Sequence, residues 1–134
     1  MTYQLLEHTA DVRALIRARD RRELYQSAVD LVRDLEIASG QVHSSLRRVM
    51  PGPGGDEAED FFRFVRELLF LFDVEGFIPM RVDLARSRQA PVVLGDTFDP
   101  QRHEGNLYLK AVTRHHYRFE HGRGGFEVEL VFDV

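Results

Sequence analysis

The run Glu7-His8-Thr9-Ala10-Asp11-Val12 places a carboxylate, an imidazole and a second carboxylate close together between two apolar, strand-like runs. Groups at the point where a chain leaves one strand and enters the next sit at the rim of a rigid scaffold, where they can take a metal ion or a proton. A plain turn is the alternative, because Thr9 and Asp11 both form the local side-chain to backbone hydrogen bonds that shape turns. A further acidic position is Asp133, followed by Val134 and its main-chain carboxylate. If the last strand runs beside an N-terminal strand, Asp11, Asp133 and the carboxylate of Val134 converge. Like charges about 4 Å apart repel by about 1 kcal/mol in water and several-fold more in a partly dry site, and a bound cation reverses the sign. An all-oxygen set suits a hard ion, Ca²⁺, Mg²⁺ or Mn²⁺, rather than zinc. A frayed, solvated terminus is the competing reading.

The elements that must position these groups are read from periodicity. Tyr3 to Leu6 is a short apolar run, and Val12 to Arg19 alternates with Val12, Ala14, Ile16 and Ala18 on one face, so both are expected as strands joined by the loop from His8 to Asp11. Asp20 reads as a helix N-cap, with Glu23 completing a capping box. Leu24, Ala28, Leu31, Val32 and Leu35 then form one apolar stripe, and Gly40 is the expected stop. Val42 to Val49 is a polar strand expected near a sheet edge.

Pro51 to Gly55 is a loop, and not a phosphate cradle: no Gly-Lys-Ser/Thr follows, and Asp56, Glu57, Glu59 and Asp60 would repel a phosphate. Those acids cap a second helix, from about Glu57 to Asp73, whose Phe and Leu cluster is the expected core. Strands follow over Ile78 to Leu84, Val92 to Leu94, Leu107 to Arg114, Tyr117 to Glu120 and Phe126 to Phe132. The pattern predicts an α+β fold: a single domain over residues 1–134, with two helices packed on a mixed, mostly antiparallel sheet.

Composition narrows the chemistry. There is no cysteine, which removes thiolate catalysis, Fe-S clusters and Cys-type zinc sites. A net charge of -4 argues against a broadly basic nucleic-acid module. Of the 18 basic residues only Lys110 is lysine. No stretch is apolar for long enough to span a bilayer and the N-terminus carries no secretory pattern, so a cytoplasmic protein with no membrane contact is expected.

Five segments then acquire meaning together: Glu7 to Val12, Glu67 to Asp73, Gly95 to His103, Lys110 to His115, and Val131-Phe132-Asp133-Val134. In this order along nearly the whole chain they resemble the archease family. The resemblance implies an accessory protein, not an enzyme, acting in tRNA splicing, tRNA processing and RNA repair. Its partner would be the RtcB-type RNA ligase, which joins 2′,3′-cyclic phosphate or 3′-phosphate ends to 5′-hydroxyl ends. Archeases promote guanylylation of the ligase histidine and restore multiple turnover, and RNA would be met only through the ligase.

The family's metal positions fall on Asp11, Asp133 and Val134, with Ca²⁺ as the first expectation and Mg²⁺ or Mn²⁺ as alternatives. Arg102, His103 and Lys110 fall on the family's basic positions and are candidates to face the ligase or its nucleotide, while His8 is placed as an orienter of the metal site. The departures are Asp96 for a usual Glu, Arg66 for a usual Asn, Arg102 for a usual Lys and Arg114 for a usual Tyr. Two other functions fit a divalent site: a stand-alone phosphoester hydrolase, and a metal-stabilised adaptor or chaperone.

Overall fold

In the computed structural model, which describes residues 2–6, 11–84 and 89–134, β1 (Thr2–Leu6) and β2 (Asp11–Ala18) pair antiparallel, as their alternation requires. Asp20 caps α1 (Arg21–Glu36), its carboxylate accepting the Glu23 N–H at 2.9 Å. Glu23 reaches back past the cap, accepting from the backbone and guanidinium of Arg19. The helix does not run on to Gly40. Ile37 is already extended, and the chain passes directly into a strand absent from the sequence reading, β3 (Ile37–Ser39). Gly40 has φ +109°, and a Cβ there would lie 2.3 Å from the Arg102 carbonyl, so its role is close packing rather than helix termination.

β4 (Leu46–Val49) is shorter than its polar run suggested. The loop 51–55 leads into α2 (Glu57–Glu75), capped by Asp56 at its start and by left-handed Gly76 at its end, two residues beyond the expected stop. β5 (Phe77–Asp83), β6 (Val92–Thr97), β7 (Glu104–Gly105), β8 (Ala111–Gly122) and β9 (Gly125–Asp133) complete the chain. The runs expected as two strands on either side of His115 form one strand, β8, with an irregular register between Thr113 and Arg118. At that irregularity His116 takes φ +64°, which breaks the alternation.

All described pairings are antiparallel, and the strands fall into three sheets: β1-β2-β9-β8, β3-β7 and β4-β6-β5. The sequence reading foresaw two helices packed on a mixed, mostly antiparallel sheet; the antiparallel pairing and the two helices are as expected, and the strands are divided among three sheets. α1 and α2 cover the inner face of the larger sheets, and one continuous core joins Ile16, Leu24, Leu31, Phe61, Leu68, Phe77 and Phe132. Buried aromatic and aliphatic side chains each contribute roughly 1.5–3 kcal/mol, so the dense α2 face anchors the fold. Gly95 lets β6 lie tightly against β5, since a Cβ there would meet the Ile78 carbonyl oxygen at 2.0 Å.

Candidate functional site

β9 alternates in direction, although Val131 is buried as well. Phe126, Val128, Leu130 and Phe132 are buried on the helix side, which turns Glu127, Glu129, Val131 and Asp133 to the other face. Because β2 runs beside β9, Asp11 lies directly opposite Asp133, and Ala111 of β8 stands opposite Asp133 on its other side. Side chains directly opposite in an antiparallel pair have Cβ atoms about 4.5–5.5 Å apart, so two carboxylates share one rung at the end of the sheet.

Along the same face Glu120, Glu127 and Glu129 are matched by arginines. Arg13 pairs with Glu129, Arg17 lies 3.7 Å from Glu127, and Arg118 bonds both Glu120 and Glu127 at 3.0 Å. The side chain of Asp133 makes no such bond among the described residues. Two carboxylates on one rung offer oxygen donors of the kind a divalent cation takes. Among the described residues no three His, Asp or Glu side chains gather as a metal cage. The candidate set is two side chains, and Val134, which follows Asp133 in sequence, is exposed. His8 lies outside the described residues.

Lys110 stands where β8 begins, its backbone N–H donating to the Asp133 carbonyl at 2.9 Å. It also lines a groove of about 230 Å³ against α2, with Arg66, Leu69, Phe70, Asp73 and Leu109. Its main chain is therefore part of the carboxylate end of the sheet.

Arg102 and His103 belong to a second cluster, in the turn between β6 and β7. The guanidinium of Arg102 reaches Asp96 at 3.3 and 3.4 Å and Asp99 at 3.3 Å. Asp96 is buried and also accepts the backbone N–H groups of His43 at 3.1 Å and Thr97 at 2.8 Å. Burial pushes its carboxyl upward, but the N–H bonds and the Arg102 guanidinium outweigh this and hold it at about 2. Asp96 is thus fully engaged.

His103 is not a surface group. Its ring is buried and stacks on Phe98, Nδ1 accepts the Asp99 N–H at 3.0 Å, and Nε2 meets the Gln41 carbonyl at 2.9 Å. A backbone N–H can only donate and a carbonyl only accept, so the ring is the Nε2–H tautomer with both nitrogens used. It braces the turn that presents Arg102. Arg114 is likewise structural, forking onto Glu59 at 2.7 Å through both Nη atoms and lying 4.2 Å above the Phe62 ring.

Two features escaped the sequence reading. Phe70, Val74 and Tyr108 are more than half exposed. Phe70 lines the groove beside Lys110, and the Tyr108 hydroxyl donates to Asp73 at 2.8 Å. Helical spacing held the signal for Phe70, since Glu59, Arg63, Arg66, Phe70 and Asp73 recur at three and four along a face of α2 that is otherwise charged. Glu36, the last residue of α1, is 2% exposed, its Oε1 has no hydrogen-bond partner among the described residues, and burial pushes its carboxyl up to about 9. No pattern in the sequence marks that position.

The fold defines a small α+β protein, two helices packed on antiparallel sheets, with two carboxylates facing each other at the end of one of them. Residues 3–134 match the archease protein family (MTH1598/TM1083), and the chain belongs to that family. It is 26% identical to protein archease of Methanosarcina acetivorans, over 98% of this chain and 95% of that one. It is 27% identical to protein archease of Aeropyrum pernix, over 96% and 94%. Among solved structures it is similar to an archease, described as a possible chaperone, from Thermotoga maritima, with TM-score 0.69, 22% identity and 96% and 94% coverage. Protein 1598 of Methanobacterium thermoautotrophicum gives TM-score 0.71 at 18% identity, over 98% of each chain. No helix among the described residues is long and apolar enough to cross a membrane.

Proposed function

We propose that this protein activates an RtcB-type RNA ligase in tRNA splicing or RNA repair, promoting guanylylation of the ligase and its multiple turnover, and that it does so through a divalent ion at the end of the β2-β9 pair. The observation that carries the reading is the register that sets Asp11 opposite Asp133. Asp11 and Asp133, with the carboxylate at Val134, would hold the ion, a hard one by the oxygen-only donor set, with Ca²⁺ first as the family resemblance implies and Mg²⁺ or Mn²⁺ as alternatives. Bound there, the ion would supply positive charge toward an anionic group of a partner. The chain's own residues supply the rest. Arg102, held by Asp96 and Asp99, keeps part of its guanidinium at the surface for an anionic group, and Lys110 offers an ammonium beside the Phe70 groove. Exposed Phe70, Val74 and Tyr108 give a partner protein an apolar surface near the start of β8.

The test is a guanylylation and ligation assay with purified ligase, GTP, a divalent ion and an excess of RNA ends. Addition of this protein should raise both the guanylylated fraction and the number of turnovers. Equal turnover with and without it would refute the activator reading, and phosphoester hydrolysis by this protein alone would favour a hydrolase instead.

A further inference from the structure

A second cavity, of about 480 Å³, opens at the other end of the molecule, between the start of α1, the start of α2 and the β8-β9 hairpin. It lies within the size range of ligand pockets. Phe126 and Asp133 are seven residues apart on β9, which puts this cavity roughly 24 Å from the carboxylate pair. Tyr25, Phe119 and Phe126 form its aromatic wall, backed by Phe61, which meets both Tyr25 and Phe119, and by Phe64, which meets Tyr25 edge-on. Glu57 and Asp60 supply its acidic rim.

The rim retains acceptor capacity. One oxygen of Asp60 takes the Gly54 N–H at 2.7 Å and Arg63 at 2.9 Å, while the other has no bond among the described residues. Glu57 meets only the ring of His121, at 3.0 Å, among the described residues. The positive end of the α2 dipole is countered locally, since Asp56 caps the Ala58 and Glu59 N–H groups and Glu57, Glu59 and Asp60 fill the first turn.

One cation already sits in this cavity. The guanidinium of Arg21 lies 4.7 Å from the centroid of the Tyr25 ring. It forms no ion pair among the described residues, although two carboxylates line the same space. An aromatic wall, an acidic rim and a planar cation resting on one ring are what recognition of a guanidinium requires. We propose that this cavity receives an arginine side chain of a partner polypeptide, and that Arg21 is the internal occupant which the incoming arginine displaces. The proposal is independent of the carboxylate site, because its residues lie on other elements and at the far end of β9.

The experiment is an NMR titration of the full chain with N-acetyl-arginine amide, with the uncharged isostere N-acetyl-citrulline amide as comparison. The arginine amide should shift amides around Tyr25, Glu57 and Phe126 in a saturable way and the citrulline amide should not. Glu57→Gln should weaken binding. Arg21→Ala should tighten it by about two- to five-fold, the factor corresponding to an exposed cation-π contact. Asp133→Ala should leave it unchanged, whatever that variant does to ligase activation. Equal shifts with both amides would overturn the proposal on the unaltered chain, and unchanged or weaker binding by Arg21→Ala would overturn the role of Arg21 as internal occupant.

Discussion

Replacing Glu36 by glutamine removes one ionisable group from the interior at nearly constant volume, and the consequence can be worked through in pH. Burial raises the carboxyl from 4.5 to about 9. The folded protein therefore holds a proton on Glu36 across a range where the unfolded chain has released it. For an acid whose folded pKa is raised, stability is undiminished below about pH 4.5, falls as pH rises, and levels off above about pH 9. The slope between these limits approaches 1.36 kcal/mol per pH unit, so at pH 7 the cost is on the order of 3 kcal/mol. That is a large part of the stability of a small domain. Urea unfolding of wild type and Glu36→Gln, followed by circular dichroism from pH 5 to 8.5, gives the difference directly. The wild type should lose stability relative to the variant by several-fold RT over that range, and the readout is the change in the gap, which cancels whatever the glutamine amide itself gains or loses in the site. Parallel pH profiles for the two proteins would refute the reasoning and mean that Glu36 finds a partner or water when ionised.

Other outcomes follow from the same geometry. Asp11→Ala and Asp133→Ala should each abolish the thermal stabilisation produced by millimolar Ca²⁺ while leaving the far-UV spectrum intact; an unaltered calorimetric Ca²⁺ isotherm in either variant would remove the ion from Asp11 and Asp133. In the absence of divalent ions, Asp133→Asn should raise stability by roughly 0.2–1 kcal/mol at low ionic strength, as relief of opposed like charges predicts, with the gain shrinking in added salt. Asp96→Asn should cost about 1–2 kcal/mol after allowance for solvent screening. Because the Asp96 carboxyl is held down, that stability is present above about pH 4 and lost as pH falls toward 2, so wild type and variant should converge in acid, as monitored by chemical denaturation. Phe70→Asp should lower the affinity for the ligase in pull-down titrations without changing the melting temperature, because the ring is 55% exposed and little of the core depends on it.

The parts of this fold that were legible in the sequence are those governed by a local period. The alternation of β2 and β9 and the stripe of α1 express burial of one face, and the structure buries that face, with Leu15 and Val131 covered on the other side as well, while the acidic start of α2 expresses capping. The meeting of Asp11 and Asp133 required one further assumption, that β9 lies beside β2, and the register then follows from the alternation. The short strands β3 and β7 were illegible because pairings such as Ile37 with Gly105 depend on tertiary approach and not on sequence pattern. The unity of β8 was hidden by the break in period around His116, where the sequence reads as two strands. The position of His103 was misleading for a different reason: a histidine beside an arginine in a turn reads as a surface pair, and only the approach of Gln41 and Phe98 shows it to be an internal brace. Glu36 carries no signature, since a charged residue at the end of a helix is ordinarily solvated.

The strand order β1-β2-β9-β8 has a consequence for how the molecule comes to exist in time. β9 is the last strand in sequence, yet it occupies the interior of its sheet, and Asp133 meets a residue 122 positions earlier. Closing a loop of that length costs ~4 kcal/mol of chain entropy beyond the fixed cost of bringing the ends together. During synthesis β1 and β2 emerge as an open-edged hairpin whose inner neighbour does not yet exist, a state exposed to mispairing and aggregation. The acidic rung is thus assembled by the final docking event of the sheet, and a chain shortened before β9 would lack both the rung and the strand that seals the β2 edge.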